Sequence, residues 1–174
     1  MIRFIKKRIG IFGGSFDPPH RGHLEISKLA IKKMSLDELY WCVTKKNPLK
    51  NKAFFSLSER IKKSKIITSK IKKIKIKFIE NKVKSTNTIN LIQHLKKDNI
   101  DDLFLIIGSD NLINFHKWKN WKILLNLVDI VVFSRKDYDK KAKKSVMMKQ
   151  VKKITFIKNK SINVSSTQIR KKMS

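Results

Sequence analysis

Cysteine is nearly missing from this chain: Cys42 is the only one in 174 residues. A single thiol permits no disulfide framework, and its place in the apolar stretch from Glu38 to Val43 makes it a small buried group rather than a nucleophile or a ligand. Such usage fits a reducing cytoplasm. Proline and glycine are scarce too, at three and five residues, which excludes collagen-like and low-complexity chains. Gly13, Gly14, Pro18, Pro19 and Gly22 are gathered in one short segment. Long apolar runs are lacking. Leu103 to Ile107 and Asp129 to Phe133 fall far short of the roughly 20 residues of a membrane helix, and the first residues have neither the apolar core nor the small-residue cleavage site of a secretion signal. A soluble single domain over residues 1–174 is expected, long enough to bury roughly two-thirds of its unfolded surface.

Negative charge is the last scarcity: 13 acidic residues face 42 basic ones, a formal charge of +29. Clustered cations suit a phosphate backbone, because they release its counterions. Here only Arg3, Arg8, Arg21, Arg60, Arg135 and Arg170 are arginine, and lysine is spread from end to end. Base-reading proteins favour arginine, and no patterned aromatics accompany the basic runs. A nucleic-acid partner therefore ranks second to lysine filling tolerant surface positions.

Short apolar runs alternate with longer amphipathic segments, the pattern of a parallel sheet with crossover helices. Strands are expected at Ile9 to Phe12, Glu38 to Val43, Ile74 to Ile79, Leu103 to Ile107, Ile130 to Phe133 and Ile154 to Ile157. Helices are expected at Gly22 to Met34, Ser58 to Ser69, Thr88 to Lys97 and Ser166 to Lys172. Lys45 to Phe55 and Lys136 to Lys149 read as the loosest segments. Ligands of open α/β sheets bind beyond the carboxyl ends of the strands, so functional residues should follow strands.

Gly13-Gly14-Ser15-Phe16-Asp17-Pro18-Pro19-His20-Arg21-Gly22-His23 lies between the first strand and the first helix. Glycines allow close backbone approach and unusual φ angles, and a helix start offers unpaired amides and a positive dipole end. His20 and His23, three apart at that start, project from one face and can reach the same phosphate. Gly22 leaves room for a base or ribose. No Gly-Lys-Ser/Thr follows the glycines and no G-x-G-x-x-G is present, so neither a Walker loop nor a dinucleotide fingerprint is involved. Two histidines without a third ligand make a poor metal site, and no metal-ligating set is read in the chain. The plain alternative is a structural turn with incidental histidines.

At the other end, Val164-Ser165-Ser166-Thr167-Gln168-Ile169-Arg170 reads as a helix start, with Ser165 or Ser166 as cap and Arg170 about one turn inside. Amides, hydroxyls and a forked cation can hold a polyphosphate; an ordinary capped helix is the rival reading. In the middle, Gly108-Ser109-Asp110 follows the fourth strand. Asp110 can accept from ribose hydroxyls, cap a helix, or do both. Trp118 and Trp121, three apart on an expected helix, suit the core, or one of them offers a flat face to a heteroaromatic ring.

The first of these segments resembles the H-x-G-H signature of the nucleotidyltransferase superfamily, in the G-G-S-F-D-P-x-H-x-G-H form of bacterial nicotinate-nucleotide adenylyltransferases. The last resembles the I-S-S-T-x-I-R motif of the same family, with Val164 in place of the first isoleucine. Gly-Ser-Asp-Asn-Leu…Phe-His-x-Trp-x-x-Trp is similar to its nicotinate-site segment. The resemblance implies a Rossmann-like doubly wound parallel sheet. It also implies ATP binding by Gly13, Gly14, Ser15, Phe16, His20, Gly22, His23, Gly108, Asp110, Arg135, Ser166, Thr167 and Arg170. His20, His23 and Arg170 would stabilise charge during transfer. Trp118 would stack on the pyridine ring, with Trp121 left to the core. Asn47-Pro48-Leu49-Lys50 is similar to the acceptor loop, where Lys50 would steer the acceptor phosphate. The family's Tyr-Thr-x-x-Thr corresponds to Lys84-Ser85-Thr86-Asn87-Thr88, with acceptor contacts from Ser85 or Thr88 and a register that can slip by one. The family continues into another helix after its last motif, whereas this sequence stops at Ser174.

The implied reaction joins ATP and nicotinate mononucleotide into nicotinate adenine dinucleotide and pyrophosphate, with Mg2+ carried on the phosphates. The acceptor phosphate is itself the nucleophile, so catalysis is alignment and charge management. Another acceptor, nicotinamide mononucleotide or phosphopantetheine, is the rival within this class. A non-enzymatic basic RNA-binding protein is the rival outside it. No sequence feature specifies an oligomeric state.

Overall fold

The apolar runs are about three to five times shorter than the roughly 20 residues of a membrane helix and rich in Ile, Leu and Val, and in the computed structural model they become strands, all but the two at the sheet edges buried on both faces. The structure describes residues 7–45, 53–97, 102–150, 154–159 and 165–173. In chain order the elements are β1 (Arg8–Gly14), α1 (Arg21–Lys33), β2 (Glu38–Val43), α2 (Leu57–Thr68), β3 (Ile74–Lys77), α3 (Glu80–Val83), α4 (Thr88–Lys96), β4 (Asp102–Gly108), α5 (Ser109–Asn114), a 3-10 turn (Phe115–Lys117), α6 (Trp121–Leu127), β5 (Asp129–Phe133), α7 (Asp139–Lys143), α8 (Val146–Gln150), β6 (Ile154–Ile157) and α9 (Ser166–Met173).

All neighbouring strands are parallel, in the order β3-β2-β1-β4-β5-β6. Side chains alternate across each strand. Ile9, Ile11, Leu103, Leu105, Ile107, Ile130 and Val132 enter one core layer, with residues of α4, α5, α6, α7 and α8. Trp41, Val43, Phe104, Ile106, Val131 and Phe133 enter the other, against α1 and α2. Helices thus cover both faces of a doubly wound sheet. Strand order reverses between β1 and β4, which opens a crevice at their carboxyl ends.

Three local expectations are corrected. The third strand ends at Lys77 rather than Ile79, because Ile79 adopts φ −106, ψ −17 at the head of α3 and buries its side chain there. Trp118 and Trp121 do not share a helix. Trp118 is extended at φ −71, ψ 145 after the 3-10 turn, and left-handed Asn120 at φ 52 redirects the chain into α6. Lys136 to Lys149, read as loose, contains α7 and most of α8, anchored by fully buried Ala142 and Met147. Burial pushes the Cys42 thiol up to about 12, as an inert core group requires. Among the described residues, no helix is long and apolar enough to cross a membrane.

Candidate active site

β1 delivers Gly13 and Gly14 to the crevice. No glycine adopts a positive φ, so their unusual-φ role is corrected to one of space. A Cβ on Gly13 would meet nothing within 4 Å, leaving the strand end open to a ligand, and the left-handed turn falls instead on Phe16 at φ 46. The Phe16 ring goes inward, 1% exposed, and stacks on Trp41 at 4.6 Å and 6°. It also supports His23 from below, at 5.0 Å between ring centroids. Phe16 therefore meets the crevice through its backbone and its support of His23, not through its ring. A cis peptide at Asp17–Pro18 completes the turn into α1.

The start of α1 is capped by its own histidines. His20 Nδ1 accepts from Gly22 N at 3.1 Å, while His23 Nδ1 accepts from His20 N at 3.2 Å. His23 N and Leu24 N are taken by His20 O at 3.0 and 3.4 Å. The first-turn amides expected to face an anion are thus mostly spent within the cap. What replaces them is a pair of side-chain donors. An amide N–H at each Nδ1 leaves each neutral ring with its proton on Nε2. Two imidazole donors, with centroids 3.8 Å apart, result. Burial, then the Arg135 charge, lowers His20 from 6.5 to about 4. Burial, then His20 and Arg135, holds His23 well below its ordinary value. Both rings are neutral Nε2–H donors in the free protein near pH 7.

α9 closes the other side. Ser165 Oγ accepts from Gln168 N at 3.2 Å and Gln168 Oε1 accepts from Ser165 N at 2.9 Å, so Ser165 is the cap. Ser166 Oγ is thereby released to donate to Pro18 O at 2.9 Å. Arg170 donates from Nη1 to Asp17 O and from Nη2 to Thr167 Oγ1 at 3.1 Å, and lies 3.8 Å from Asp17 Oδ2. The two ends of the chain meet at Asp17 and Pro18, two residues before His20.

Across the crevice, Asp110 Oδ2 accepts from Arg135 Nη1 at 3.0 Å, and Ser109 Oγ accepts from Arg135 N at 3.0 Å. Asp110 Oδ1 is buried with no hydrogen-bond partner. It lies so close over Gly108 that a Cβ there would meet it at 2.4 Å. The structure thus gathers Gly13, Gly14, Ser15, His20, Gly22, His23, Gly108, Asp110, Arg135, Ser166, Thr167 and Arg170 at one end of the sheet. The expected acceptor residues are less united. Ser85 Oγ accepts from Asn87 N at 3.1 Å at the entry to α4, Thr88 is the first residue of that helix, and Trp118 stacks on Phe115 at 4.8 Å. Lys50 lies outside the described residues.

Sequence reading missed two residues. Asp17, 4% exposed, accepts from Phe54 N and Phe55 N at 2.8 and 2.9 Å. Arg60, 1% exposed, holds the carbonyls of Ser15, Thr44, Lys45 and Phe55. A signal existed for Arg60: it is the one arginine in a helix whose other cations are Lys62, Lys63 and Lys65. Where lysine is the habitual cation, arginine marks a need for forked geometry.

A doubly wound sheet with a histidine-capped helix at its reversal point defines an α/β protein of nucleotidyltransferase type. Residues 11–172 match the cytidylyltransferase-like family model. The chain is 48% identical over 168 residues to a protein of Pelagibacter ubique named "probable nicotinate-nucleotide adenylyltransferase", covering 95% of this chain and 93% of that one. A protein of the same name from Ruegeria is 39% identical over 73% of this chain and 67% of its own. The fold matches the Plasmodium falciparum nicotinic acid mononucleotide adenylyltransferase complexed with NaAD, at TM-score 0.77 and 21% identity over 95% of this chain and 83% of that one. The chain belongs to the cytidylyltransferase-like family and, within it, to the nicotinate-nucleotide adenylyltransferases.

Proposed function

We propose that the chain transfers the adenylyl group of ATP to nicotinate mononucleotide, releasing pyrophosphate and forming nicotinate adenine dinucleotide in cytoplasmic NAD biosynthesis. The observation that carries this reading is the meeting of α9 with the Asp17–Pro18 turn, beside two neutral imidazoles whose Nε2–H groups remain as donors. Family membership supports the choice of acceptor.

ATP lies over Gly13 with its triphosphate between α1 and α9. His20 and His23 donate to phosphate oxygens, and Ser166, Thr167 and Arg170 border the same tail. The partnerless Asp110 Oδ1 accepts from a ribose hydroxyl, with Arg135 as its counter-charge on the adenosine side. Trp118 offers its ring to the pyridine, and Lys50 with Ser85 or Thr88 receives the acceptor phosphate. The acceptor phosphate oxygen attacks the α-phosphorus, the bond to the bridging oxygen breaks, and pyrophosphate leaves with the electron pair. Mg2+ enters as part of the nucleotide substrate and neutralises charge on the departing pyrophosphate. In-line holding of the two reactants supplies on the order of 7–11 kcal/mol.

The test is pyrophosphate release from ATP with nicotinate mononucleotide, nicotinamide mononucleotide and phosphopantetheine offered separately. Turnover with the nicotinate acceptor at least tenfold above the others is expected; equal or greater turnover with another acceptor overturns the reading.

A further inference from the structure

Beneath the two histidines, a short polar chain crosses an otherwise apolar layer. Trp41 lies in β2 with no exposed surface, beside its register partner Phe12 in β1. Its Nε1 donates to Ser27 Oγ at 2.7 Å, and Ser27, equally buried in α1, donates in turn to His23 O at 2.8 Å. For packing alone, a phenylalanine against an alanine would fill this layer without burying polar groups. An indole N–H and a hydroxyl are tolerated there because each satisfies the other. A serine hydroxyl turned back to the carbonyl four residues earlier also competes with the helix's own ladder. The pair is better explained by what it holds in place.

Two routes run from Trp41 to His23. One is the hydrogen-bond chain through Ser27 to the His23 carbonyl. The other is a pile of rings: Phe16 lies flat on the indole at 4.6 Å and 6°, and the His23 imidazole rests on Phe16 at 5.0 Å and stands 6.0 Å from Trp41 itself. Phe16 reaches this place at a cost, since φ 46 is a left-handed conformation that a bulky side chain rarely adopts. Gly14 makes the room, for a Cβ there would meet the Phe16 ring at 3.3 Å. One indole thus anchors the histidine by both its backbone and its ring. We propose that Trp41 is a positioning residue for adenylyl transfer: through Ser27 and Phe16 it fixes the His23 ring, so that Nδ1 stays on His20 N and Nε2–H stays available to a phosphate oxygen. This rests on the adenylyltransferase reading above, in which His23 is a phosphate donor. Neither Trp41 nor Ser27 is placed against a nucleotide by that reading.

The experiment compares wild type with Trp41→Phe and Ser27→Ala, each held below its own melting transition. Two quantities are read: kcat at saturating ATP and nicotinate mononucleotide, and the imidazole nitrogen NMR signals of His23 in the ligand-free protein. Trp41→Phe removes the donor and narrows the stacking surface, whereas Ser27→Ala breaks only the hydrogen-bond chain and leaves every ring. A residue that only stabilises would lower the melting temperature and leave the folded protein's kcat and His23 signals unchanged. Instead kcat is expected to fall roughly a hundredfold in Trp41→Phe and roughly tenfold in Ser27→Ala, within the range that misplacement by about 1 Å produces. In both variants the His23 ring should pass from the single Nε2-protonated tautomer to a mixture of tautomers. If Trp41→Phe does not fold, Ser27→Ala decides. A folded variant with wild-type kcat, or with a lowered kcat and an unchanged His23 tautomer, overturns the proposal. A wild-type protein that fails to turn over nicotinate mononucleotide overturns the functional reading instead, and the His23 tautomer in the variants still decides whether Trp41 places that ring.

Discussion

The two helix starts that border the proposed triphosphate site are secured in opposite ways. α1 is capped from within: every bond of its cap joins residues no more than four positions apart, His20 to Gly22, His23 and Leu24. α9 has a local cap at Ser165, but what puts it at the site are Ser166 to Pro18, 148 positions away, and Arg170 to Asp17, 153 positions away. The cap bonds of the first helix start are local in sequence, whereas those that place the second join residues about 150 positions apart and need the assembled sheet. The His20/His23 cap is therefore specified by its own segment, with Phe16 on Trp41 supporting it from the core, and its completion at α9 depends on the fold.

The largest break in this comparison is His20→Ala. Removing one preorganised donor to a charged transition state costs roughly 10²–10³ in kcat, while loss of the cap costs about 1 kcal/mol. Steady-state pyrophosphate release and a thermal melt on the same sample separate the two; wild-type turnover would remove His20 from the machinery. Next comes Arg170→Ala, which leaves α1 untouched. Loss of one charge-assisted contact of about 1.5–3 kcal/mol lowers kcat/KM for ATP by roughly ten- to a hundredfold, measured from initial rates.

A pH series sharpens the contrast, because only the α1 side has a titrating pair. The folded-state value of His20 is about 4 against an ordinary 6.5, lowered by burial and by Arg135. The neutral ring is favoured by folding. Its contribution is complete above 6.5, is lost as pH falls from 6.5 toward about 4, and is constant below that. The melting temperature of the ligand-free protein should fall across this window, and His20→Asn, which keeps a cap acceptor, should flatten the fall. An unchanged slope would assign the titration elsewhere. The smallest effect is expected from Ser166→Ala. Losing the bond to Pro18 O costs about 1 kcal/mol and raises the KM for ATP about fivefold, with the α1 cap intact; a nucleotide titration checks it.

Legibility follows the same division. The strand runs, the helix starts and the His20/His23 pair were readable because their periodicity and spacing are local. The unusual-φ role given to Gly13 and Gly14 failed for a tertiary reason: the turn is taken by Phe16, whose inward ring is stabilised by stacking on Trp41. Trp118 and Trp121 were placed on one helix because a spacing of three fits one, and only left-handed Asn120 breaks it. Asp17 stood inside the motif without an assigned role, since its partners Phe54, Phe55 and Arg170 are all distant in sequence.

The sequence alone determined that strands alternate with helices, that the first and last motifs are helix starts carrying groups suited to an anion, and that a lone buried thiol is a core group. These properties depend on hydrophobic period, helix-cap spacing and composition, which act over a few residues. Only the tertiary structure decided that Ser165 rather than Ser166 caps α9, that the amides of α1 are spent on its own histidines, and that Arg60 joins three segments. Those outcomes are competitions for hydrogen-bond partners, and the competitors meet only after the parallel sheet has brought distant parts of the chain to one edge.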